Sequence, residues 1–410
     1  MKKHILVLTQ YFYPEQSRIN DICTEWVNKG YKVTVITGIP NYPQGKYYDG
    51  YGLFKKRKEI YNGIKIIRIP LIPRGNNSIM LSLNYISFVV SGFFWMLLTK
   101  VKADLVFIYE TSPMTQALPG VWYAKRMKIP CYLYVTDLWP ESLTIAGIRN
   151  KWIIEVIGLL VDYIYARCDV IFTSSASFNK AIHKRGVSIE KIKYWPQYAE
   201  DFYVTIDKES VSVPEIPQDG VINIIFAGNI GVAQGLDILP RTAQILKLNN
   251  VNVRFNIVGD GRFKETLCKM VNDYQVSHMF NFIDRQPATR IPEFMAVCDV
   301  ALISLSKHSV CSMTLPAKTQ SCLACGIPII VSADGEIQKV IKEANAGLCS
   351  NAGDAEMLAM KITEMSAKSK NELLQMAQNA REYYLQHFDK NKLLGIMDKF
   401  FTDNYLIRTV

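Results

Sequence analysis

The 410-residue sequence lacks the features of several protein classes. It has no short internal repeat and no low-complexity segment, and 49% of its residues are hydrophobic against 20% charged. This composition excludes fibrous and disordered chains. Nine cysteines, an odd number, are scattered from Cys23 to Cys349 without a secretory signal, so we expect reduced thiols in a cytosolic protein. The apolar run at residues 5–8 is too short for a signal peptide, and we expect no targeting segment.

Several catalytic motifs are missing as well. The sequence contains no Asp-x-Asp, which leaves metal chelation of a diphosphate unsupported, and we expect no metal and no cofactor. It has no GxGxxG fingerprint and no Tyr-x-x-x-Lys pair in a suitable helix, which argues against a nicotinamide-dependent enzyme. Cys322 and Cys325 have CxxC spacing inside an apolar helix without a second pair, so we predict buried thiols there.

Positive charge is concentrated in one half of the chain. Residues 1–200 contain 26 lysines and arginines against 14 aspartates and glutamates, whereas residues 201–410 contain 21 against 23. The basic half is suited to an anionic partner such as nucleic acid, a phosphorylated substrate or a lipid surface. Charges that are solvated separately would explain the same numbers.

Residues 80–98 form an uncharged apolar segment between Arg74 and Lys100, long enough to span a membrane. Spaced polar residues interrupt it, and strand-like runs flank it on both sides. A single span would place those strands on opposite sides of the bilayer. We therefore favour a helix that packs on a sheet and whose apolar edge dips into the membrane interface, with a true span as the alternative.

Apolar runs of strand length alternate with helix-length segments along the chain, which predicts α/β structure with parallel sheets. The pattern fails at residues 200–220, a polar stretch with prolines that we interpret as a linker. We predict two Rossmann-like doubly wound domains, at residues 1–205 and 206–387, with a C-terminal helix at about 388–410 packing back on the first. Ligands are expected in a central cleft at the carboxyl ends of the strands.

The second domain offers candidate phosphate-binding turns. Residues 224–235 read IIFAGNIGVAQG, a strand followed by a turn containing Gly228, Asn229 and Gly231, and Gly259 ends another strand. Backbone N–H groups in such turns suit a phosphate, although a purely structural turn is an equal alternative. Lys318 follows Pro316 at a predicted helix start and could hold a diphosphate, or it could be a solvated lysine.

In the first domain, two loops follow predicted strands. The first contains Glu15 and Arg18, and the second contains Asp137, Trp139 and Glu141. Carboxylates, a guanidinium and an aromatic face suit the binding of polyhydroxyl compounds. Taken singly, Glu141 could be a helix-start charge and Trp139 a core residue.

Six blocks in these regions match the motifs of a known enzyme family. The blocks are LTQYFYPE at 8–15, RIND at 18–21, NYPQG at 41–45, DLWPES at 137–142, GNIG at 228–231 and ADGE at 333–336. In them the chain resembles the retaining, metal-independent GT-B glycosyltransferases of family four, and especially the WbuB-like branch of L-fucosamine transferases. The resemblance covers nearly the whole chain.

The resemblance implies a nucleotide-diphosphate-sugar donor, UDP-linked, on the C-terminal domain and an acceptor on the N-terminal one. The implied acceptor is a polyprenyl-diphosphate-linked glycan of O-antigen or capsule synthesis at the inner face of the cytoplasmic membrane. We accordingly expect a peripheral protein on an anionic membrane surface, with no nucleic acid partner.

The chain also departs from the family. The usual Arg and Lys that hold the donor diphosphate would fall near Asn229 and Gln234, so we expect Lys318 and Arg285 to substitute. The usual Glu-x7-Glu pair would fall at Met313 and Ser321. Ser321 can still bond a ribose hydroxyl, more weakly than a carboxylate would. A Met at 313 fits either a donor with fewer hydroxyls, such as a deoxy-N-acetyl sugar, or an enzyme of weak activity.

These comparisons complete the predicted site. The predicted catalytic residues are Asp137, Glu141 and Lys318. The predicted acceptor-binding residues are Glu15, Arg18 and Trp139. The predicted donor-binding residues are Gly228, Asn229, Gly231, Gly259, Arg285, Thr314, Leu315, Lys318 and Ser321, with backbone N–H groups of Thr314 and Leu315 facing the diphosphate or the sugar. A non-catalytic membrane-associated scaffold and a nicotinamide-dependent oxidoreductase or epimerase remain the alternatives.

Overall fold

The computed structural model describes residues 2–75, 77–145 and 147–402. The chain divides into two compact units. The first unit contains residues 1–195 and 396–410, and the second contains residues 196–395. Each unit is built on its own sheet.

The first unit contains an eight-stranded sheet in the order β3-β4-β2-β1-β5-β6-β7-β8. All neighbouring strands are parallel except β3, which pairs antiparallel with β4 at the edge. The strands are β1 His4–Leu8, β2 Lys32–Thr37, β3 Lys58–Tyr61, β4 Ile64–Arg68, β5 Leu105–Glu110, β6 Cys131–Val135, β7 Val170–Thr173 and β8 Ile192–Tyr194. The central strands β5, β6 and β7 are buried at every residue, as expected for a sheet covered on both faces.

Helices cover this sheet. They are α1 Arg18–Asn28, α2 Ser78–Leu98, α3 Leu118–Met127, α4 Ser142–Ile145, α5 Lys151–Ala166 and α6 Ala176–Lys184. Trp26 of α1 meets Phe107 of β5 and Phe401 edge-on, at centroid distances of 4.9 and 5.1 Å. The last described helix of the chain therefore packs with α1 on the first unit's sheet.

The second unit contains a six-stranded, wholly parallel sheet in the order β11-β10-β9-β12-β13-β14. Its strands are β9 Ile222–Ala227, β10 Val253–Val258, β11 Phe280–Ile283, β12 Val300–Ser304, β13 Ile329–Ser332 and β14 Gly347–Ser350. The strand order reverses between β9 and β12. Ligand sites in doubly wound sheets lie at such a reversal, beyond the carboxyl ends of the strands.

The helices of the second unit follow its strands in alternation. They are α7 Leu239–Leu248, α8 Lys264–Asp273, α9 Ile291–Ala296, α10 Ser309–Met313, α11 Ala317–Cys325, α12 Glu336–Glu343, α13 Ala355–Ser366 and α14 Lys370–His387. The chain ends its described part in α15 Lys390–Thr402, which contains Phe401. Cys322 and Cys325 are buried free thiols in α11, in agreement with the sequence prediction.

Candidate active site

Two glycine turns meet backbone to backbone at the strand reversal of the second unit. Gly228 follows β9 and Gly259 follows β10, with φ angles of 145° and 148° that favour glycine. A Cβ atom on Gly259 would lie 2.0 Å from the carbonyl oxygen of Gly228. The N–H of Gly228 donates to the carbonyl of Val258 at 3.0 Å, so the two turns form one hydrogen-bonded platform.

Lys318 reaches this platform from the first turn of α11. Its ammonium donates to Oε1 of Gln234 and lies 4.1 Å from the ring centroid of Phe226. Desolvation lowers the pKa of Lys318 to about 8. Within the described part of the chain no carboxylate forms an ion pair with it. A desolvated cation is therefore held beside the N–H groups of a helix start, an arrangement that an anion would neutralise.

Among the described residues, only the side chain of Lys318 lies within 4 Å of a Cβ atom built on Gly228. A Cβ atom on Gly228 would have Nζ of Lys318 as its nearest neighbour, at 3.6 Å. Gln234 was not among the predicted site residues, and sequence could not reveal its contact with Lys318 because the two residues are far apart in the chain. The open glycine and the cation together form the strongest phosphate-binding candidate in the second unit.

The other predicted donor-binding residues differ in how they are placed in the second unit. Asn229 folds over Gly231, whose Cβ would lie 2.7 Å from the Asn229 side-chain nitrogen. Ser321 is buried, and its hydroxyl donates to the carbonyl of Ala317 at 3.4 Å. Arg285 is exposed just beyond β11, the edge strand two positions from β9. The structure thus groups Lys318 with Gly228, and leaves Arg285 at the sheet edge.

The expectation for Thr314 needs a correction. Its N–H donates to the carbonyl of Cys311 at 3.1 Å, at the end of α10, and is therefore unavailable to a ligand. Leu315 is buried and follows Thr314 in the loop before α11. The N–H groups at the start of α11 itself, at Ala317 and Lys318, have no acceptor within the helix because of their position in its first turn. They are better placed for a diphosphate than Thr314.

In the first unit, Asp137 lies two residues beyond the carboxyl end of β6. Its carboxylate accepts hydrogen bonds from the hydroxyls of Ser112 and Ser142, and Nε1 of Trp139 donates to Ser112 at 3.1 Å. Burial raises the pKa of Asp137, although these donors oppose the shift. Asp137, Trp139 and Ser112 therefore form one polar cluster at the carboxyl ends of β5 and β6.

Two more carboxyl groups belong to the same region. Glu110, the last residue of β5, is fully buried, and in the described part of the chain neither of its carboxyl oxygens has a hydrogen-bond partner. Burial, and then the charge of Asp137, raise the pKa of Glu110 well above its ordinary value. One oxygen of Glu141 is likewise buried without a described partner. Glu110 escaped the sequence analysis because it ends an apolar run and belongs to no motif.

Glu15 is placed differently from a ligand-binding carboxylate. It is 2% exposed, and it accepts hydrogen bonds from the backbone N–H groups of Asn41 and Tyr42, both at 2.7 Å. The N–H of Phe12 donates to its second oxygen at 3.3 Å. Burial outweighs these donors and raises the pKa of Glu15 to about 7. Glu15 thus ties the loop after β1 to the loop after β2, while Arg18 begins α1.

Comparison with known proteins identifies the class of protein that carries these features. Residues 208–383 match the family of glycosyl transferases group 1. The chain is 26% identical, over 95% of its length and 97% of the relative's, to WcaI of Escherichia coli K12, which is named for glycosyl transfer in colanic acid biosynthesis.

Solved structures define the fold. Sucrose-phosphate synthase from Thermosynechococcus elongatus matches with a TM-score of 0.78 at 14% identity, over 98% of each chain. HepE from Anabaena, solved in complex with UDP and glucose, matches with a TM-score of 0.71 at 15% identity, over 97% of this chain and 99% of that one. These likenesses confirm the predicted GT-B fold.

The chain is a glycosyltransferase, and residues 208–383 are the part of it that matches the group 1 glycosyltransferase family. This confirms the predicted enzyme class, and neither a nicotinamide-dependent enzyme nor a non-catalytic scaffold gains support from the matches. These matched residues include both glycine turns and Lys318, so the phosphate-binding candidate lies inside the matched part of the chain.

Proposed function

We propose that the protein transfers a sugar from a UDP-linked donor to a polyprenyl-diphosphate-linked glycan during the synthesis of a bacterial surface polysaccharide. The observation that carries this proposal is the desolvated Lys318 beside Gly228, with no carboxylate partner in the described chain. The UDP bound to HepE and the colanic acid role in the name of WcaI support the choice of donor and pathway.

In the proposed reaction the acceptor hydroxyl oxygen forms a bond to the anomeric carbon, and the bond from that carbon to the diphosphate oxygen breaks. Negative charge grows on the leaving diphosphate. Lys318 and the first N–H groups of α11 stabilise it as preorganised positive charge, which does not require a metal ion. The acceptor proton passes to a leaving diphosphate oxygen, and attack on the leaving-group side gives retention of configuration.

Asp137 is proposed to orient the acceptor or the sugar by accepting hydrogen bonds from hydroxyl groups. Ser112 and Ser142 fix its carboxylate, as a positioned polar group requires. Trp139, tied to Ser112, offers an aromatic face to a sugar ring. Glu141 and Arg18 stay predicted members of this acceptor site, whereas Glu15 acts on it through the loops that it joins.

The donor sugar is proposed to be a deoxy-N-acetyl sugar such as N-acetyl-L-fucosamine. Met313, at the end of α10, has no hydroxyl-binding group at the position where the wider family carries a carboxylate. A lipid-linked acceptor would place the protein at the inner face of the cytoplasmic membrane, on an anionic surface that complements the basic first half.

The direct test incubates the purified full chain with UDP-N-acetyl-L-fucosamine, UDP-N-acetylglucosamine, UDP-glucose and GDP-fucose, together with a short-chain polyprenyl-diphosphate glycan. Mass spectrometry of the acceptor reads out transfer, in the presence and absence of EDTA. We expect product with a UDP donor, insensitive to EDTA. Transfer only from the GDP donor would overturn the choice of nucleotide, and loss of product with EDTA would overturn metal independence.

A further inference from the structure

Large hydrophobic side chains lie exposed on two helices of the first unit. On α2, Ile79 is 73% and Phe94 is 56% exposed, and on α5, Trp152 is 71% and Leu159 is 66% exposed. A folded protein rarely leaves such residues grouped in water unless they meet a partner or a membrane.

Helix α2 has two distinct faces. Asn84, Phe88, Gly92 and Met96, spaced four residues apart, are buried. The opposite face carries exposed apolar residues that include Leu83, Ile86 and Val90. The helix has the length and composition of a membrane span, yet only 22% of its apolar window is buried in the protein. Its exposed face is therefore apolar where a water-facing helix would be polar.

The fold is incompatible with a span by α2. The helix connects β4 to β5, and both strands belong to one sheet through β2 and β1. Asn84 accepts a hydrogen bond from Nε2 of Gln10 and donates one to the carbonyl of Ile72, both at 2.6 Å. A Cβ atom on Gly92 would lie 2.3 Å from Cγ of Pro119 in α3. The buried face of α2 is thus fixed to the protein, and only the opposite face can meet lipid.

Helix α5 continues the same surface. Trp152, Val156 and Leu159 are exposed at spacings of four and three residues, which aligns them along one side of the helix. The connections β4–β5, β5–β6 and β6–β7 all advance in one direction along the sheet, so right-handed crossovers place α2, α3 and α5 on one face.

Side-chain contacts join the two helices through α3. The ring centroids of Phe93 on α2 and Trp122 on α3 are 5.6 Å apart. Nε1 of Trp122 donates to the hydroxyl of Tyr163 on α5 at 3.2 Å. A tryptophan and a tyrosine at the join are the residues that favour the boundary between headgroups and acyl chains.

Charge around the two helices complements an anionic leaflet. Helix α2 itself has no charged residue, whereas Lys100, Lys102, Lys125 and Lys151 are exposed at the helix ends. Arg167, at the end of α5, stacks on Tyr163 with 3.5 Å between its guanidinium carbon and the ring centroid. These five cations outnumber the nearby carboxylates of Asp104, Glu155 and Asp162, the last of which pairs with Arg185, so the rim attracts anionic headgroups.

We propose that the exposed faces of α2 and α5 together form the membrane-docking surface, with both helices lying in the plane of the interface of a bilayer containing anionic phospholipid. The inference deepens the proposed function, on which its biological setting rests. It assigns to α5 a role that the apolar run in α2 alone does not imply. It also excludes insertion of α2 across the bilayer.

The test compares Leu159→Glu with Leu248→Glu in the full chain. Leu248 ends α7 in the second unit and is 74% exposed, so the control makes the same chemical change at a similarly exposed leucine on a helix that is not part of the proposed surface. Sedimentation with vesicles of phosphatidylcholine, with or without equimolar phosphatidylglycerol, measures binding. We expect Leu159→Glu to weaken partition into the anionic vesicles by about tenfold or more, because a leucine that would enter the lipid interface is replaced by a charge. We expect no change for Leu248→Glu.

Other outcomes would overturn the inference in distinguishable ways. Equal vesicle binding by Leu159→Glu and wild type would remove α5 from the surface and leave the proposed reaction untouched. If sedimentation velocity without lipid shows an oligomer that Leu159→Glu dissociates, the surface joins copies of the chain instead. Sugar transfer to a water-soluble acceptor is measured in parallel. It should be unchanged in Leu159→Glu, because Leu159 lies outside the candidate active site. Absence of transfer by the wild-type protein would contradict the proposed function and not the docking surface.

Discussion

Lys318 is the residue whose environment is hardest to explain without a ligand. A cation at the start of a helix is repelled by the positive end of the helix dipole, and here it is also desolvated. Lys264 at the start of α8 provides the contrast, because it forms an ion pair with Asp284 at 2.7 Å. The charge of Lys264 is thus compensated by a carboxylate, whereas no described carboxylate pairs with Lys318.

We expect Lys318→Ala to lower turnover of the donor by about 100-fold or more, the usual cost of removing one group that stabilises developing negative charge. Its melting temperature should stay the same or rise, because the substitution removes a desolvated charge. Lys264→Ala is the matched control and should leave turnover unchanged. Steady-state kinetics with the best UDP-sugar, together with thermal unfolding, measure both effects. Unchanged turnover by a folded Lys318→Ala protein would contradict the assignment.

Substitution of Asp137 by asparagine distinguishes a chemical role of this residue from a structural one. Asp137→Asn retains an acceptor for Ser112 or Ser142, so a purely structural role predicts a loss of about 1 kcal/mol of stability and near-normal transfer. The proposed role predicts a loss of transfer of about 100-fold with nucleotide binding intact. Asp169→Asn is the control, since Asp169 accepts from the N–H of Cys131 at the opposite end of β6. Near-normal transfer by Asp137→Asn would remove Asp137 from the site.

The raised pKa of Glu15 predicts that the stability of the folded protein depends on pH. Its pKa in the folded protein, about 7, is raised above the ordinary value of 4.5. The folded state therefore binds this proton more tightly than the unfolded chain does, and its contribution to stability is fully present below pH 4.5. That contribution is lost as the pH rises to about 7, at up to about 1.4 kcal/mol for each unit of pKa shift.

Urea unfolding between pH 5 and pH 8 would measure this loss. We expect Glu15→Gln, which does not titrate, to show a smaller decline in unfolding free energy than wild type over that range. Because Glu110 also has a raised pKa, a decline will persist in the variant. Identical slopes for the two proteins would show that Glu15 does not titrate in this range.

At the scale of elements, the two glycine turns depend on each other. A Cβ on Gly259 would overlap the carbonyl of Gly228, and that atom is backbone, which cannot rotate away. We expect Gly259→Ala to destabilise the second unit and abolish nucleotide binding. The control Gly353→Ala should lose only the stability that a positive φ costs an alanine, because the nearest atom to the new Cβ is 3.9 Å away. Isothermal titration with UDP and thermal unfolding measure the pair. Normal UDP affinity in Gly259→Ala would show that the turns move independently.

Most strands could be predicted because buried parallel strands are continuous apolar runs, as in β1 and β5. Strand β3 was missed for the opposite reason. It is a half-exposed edge strand that begins with Lys58 and Glu59. It pairs antiparallel with β4, where the buried Arg68 forms an ion pair with Glu59 at 2.7 Å. A pairing of this kind depends on the sheet, so the local sequence does not reveal it.

The candidate site shows the same contrast between features that the local sequence reveals and features that depend on contacts with distant residues. The loops after β6, β9 and β10 carry recognisable motifs, and Asp137, Gly228 and Gly259 were predicted from them as site residues. The contact of Lys318 with Gln234 and the burial of Glu110 depend on residues from other elements. The local sequence therefore indicates candidate groups, and the fold determines which of them are desolvated.

At the scale of the whole molecule, the proposed assignment of donor and acceptor to separate units is itself testable. If the second unit alone holds the nucleotide, a UDP-sugar at 100 times its dissociation constant should stabilise that unit by about 2.7 kcal/mol. For a unit of this size the melting transition should rise by about 2–4 °C for each kcal/mol. The same experiment with GDP-fucose should give a smaller shift.

The two active-site variants then report on different units. Lys318→Ala removes the cation from the second unit, so the shift with UDP-sugar should disappear. Asp137→Asn changes only the first unit and should keep the full shift while transfer is lost. Calorimetry resolves the transitions of the units when they unfold separately, and only the ligand-sensitive one should move in wild type. A shift that Asp137→Asn abolishes and Lys318→Ala retains would place the nucleotide on the first unit and reverse the proposed arrangement of donor and acceptor.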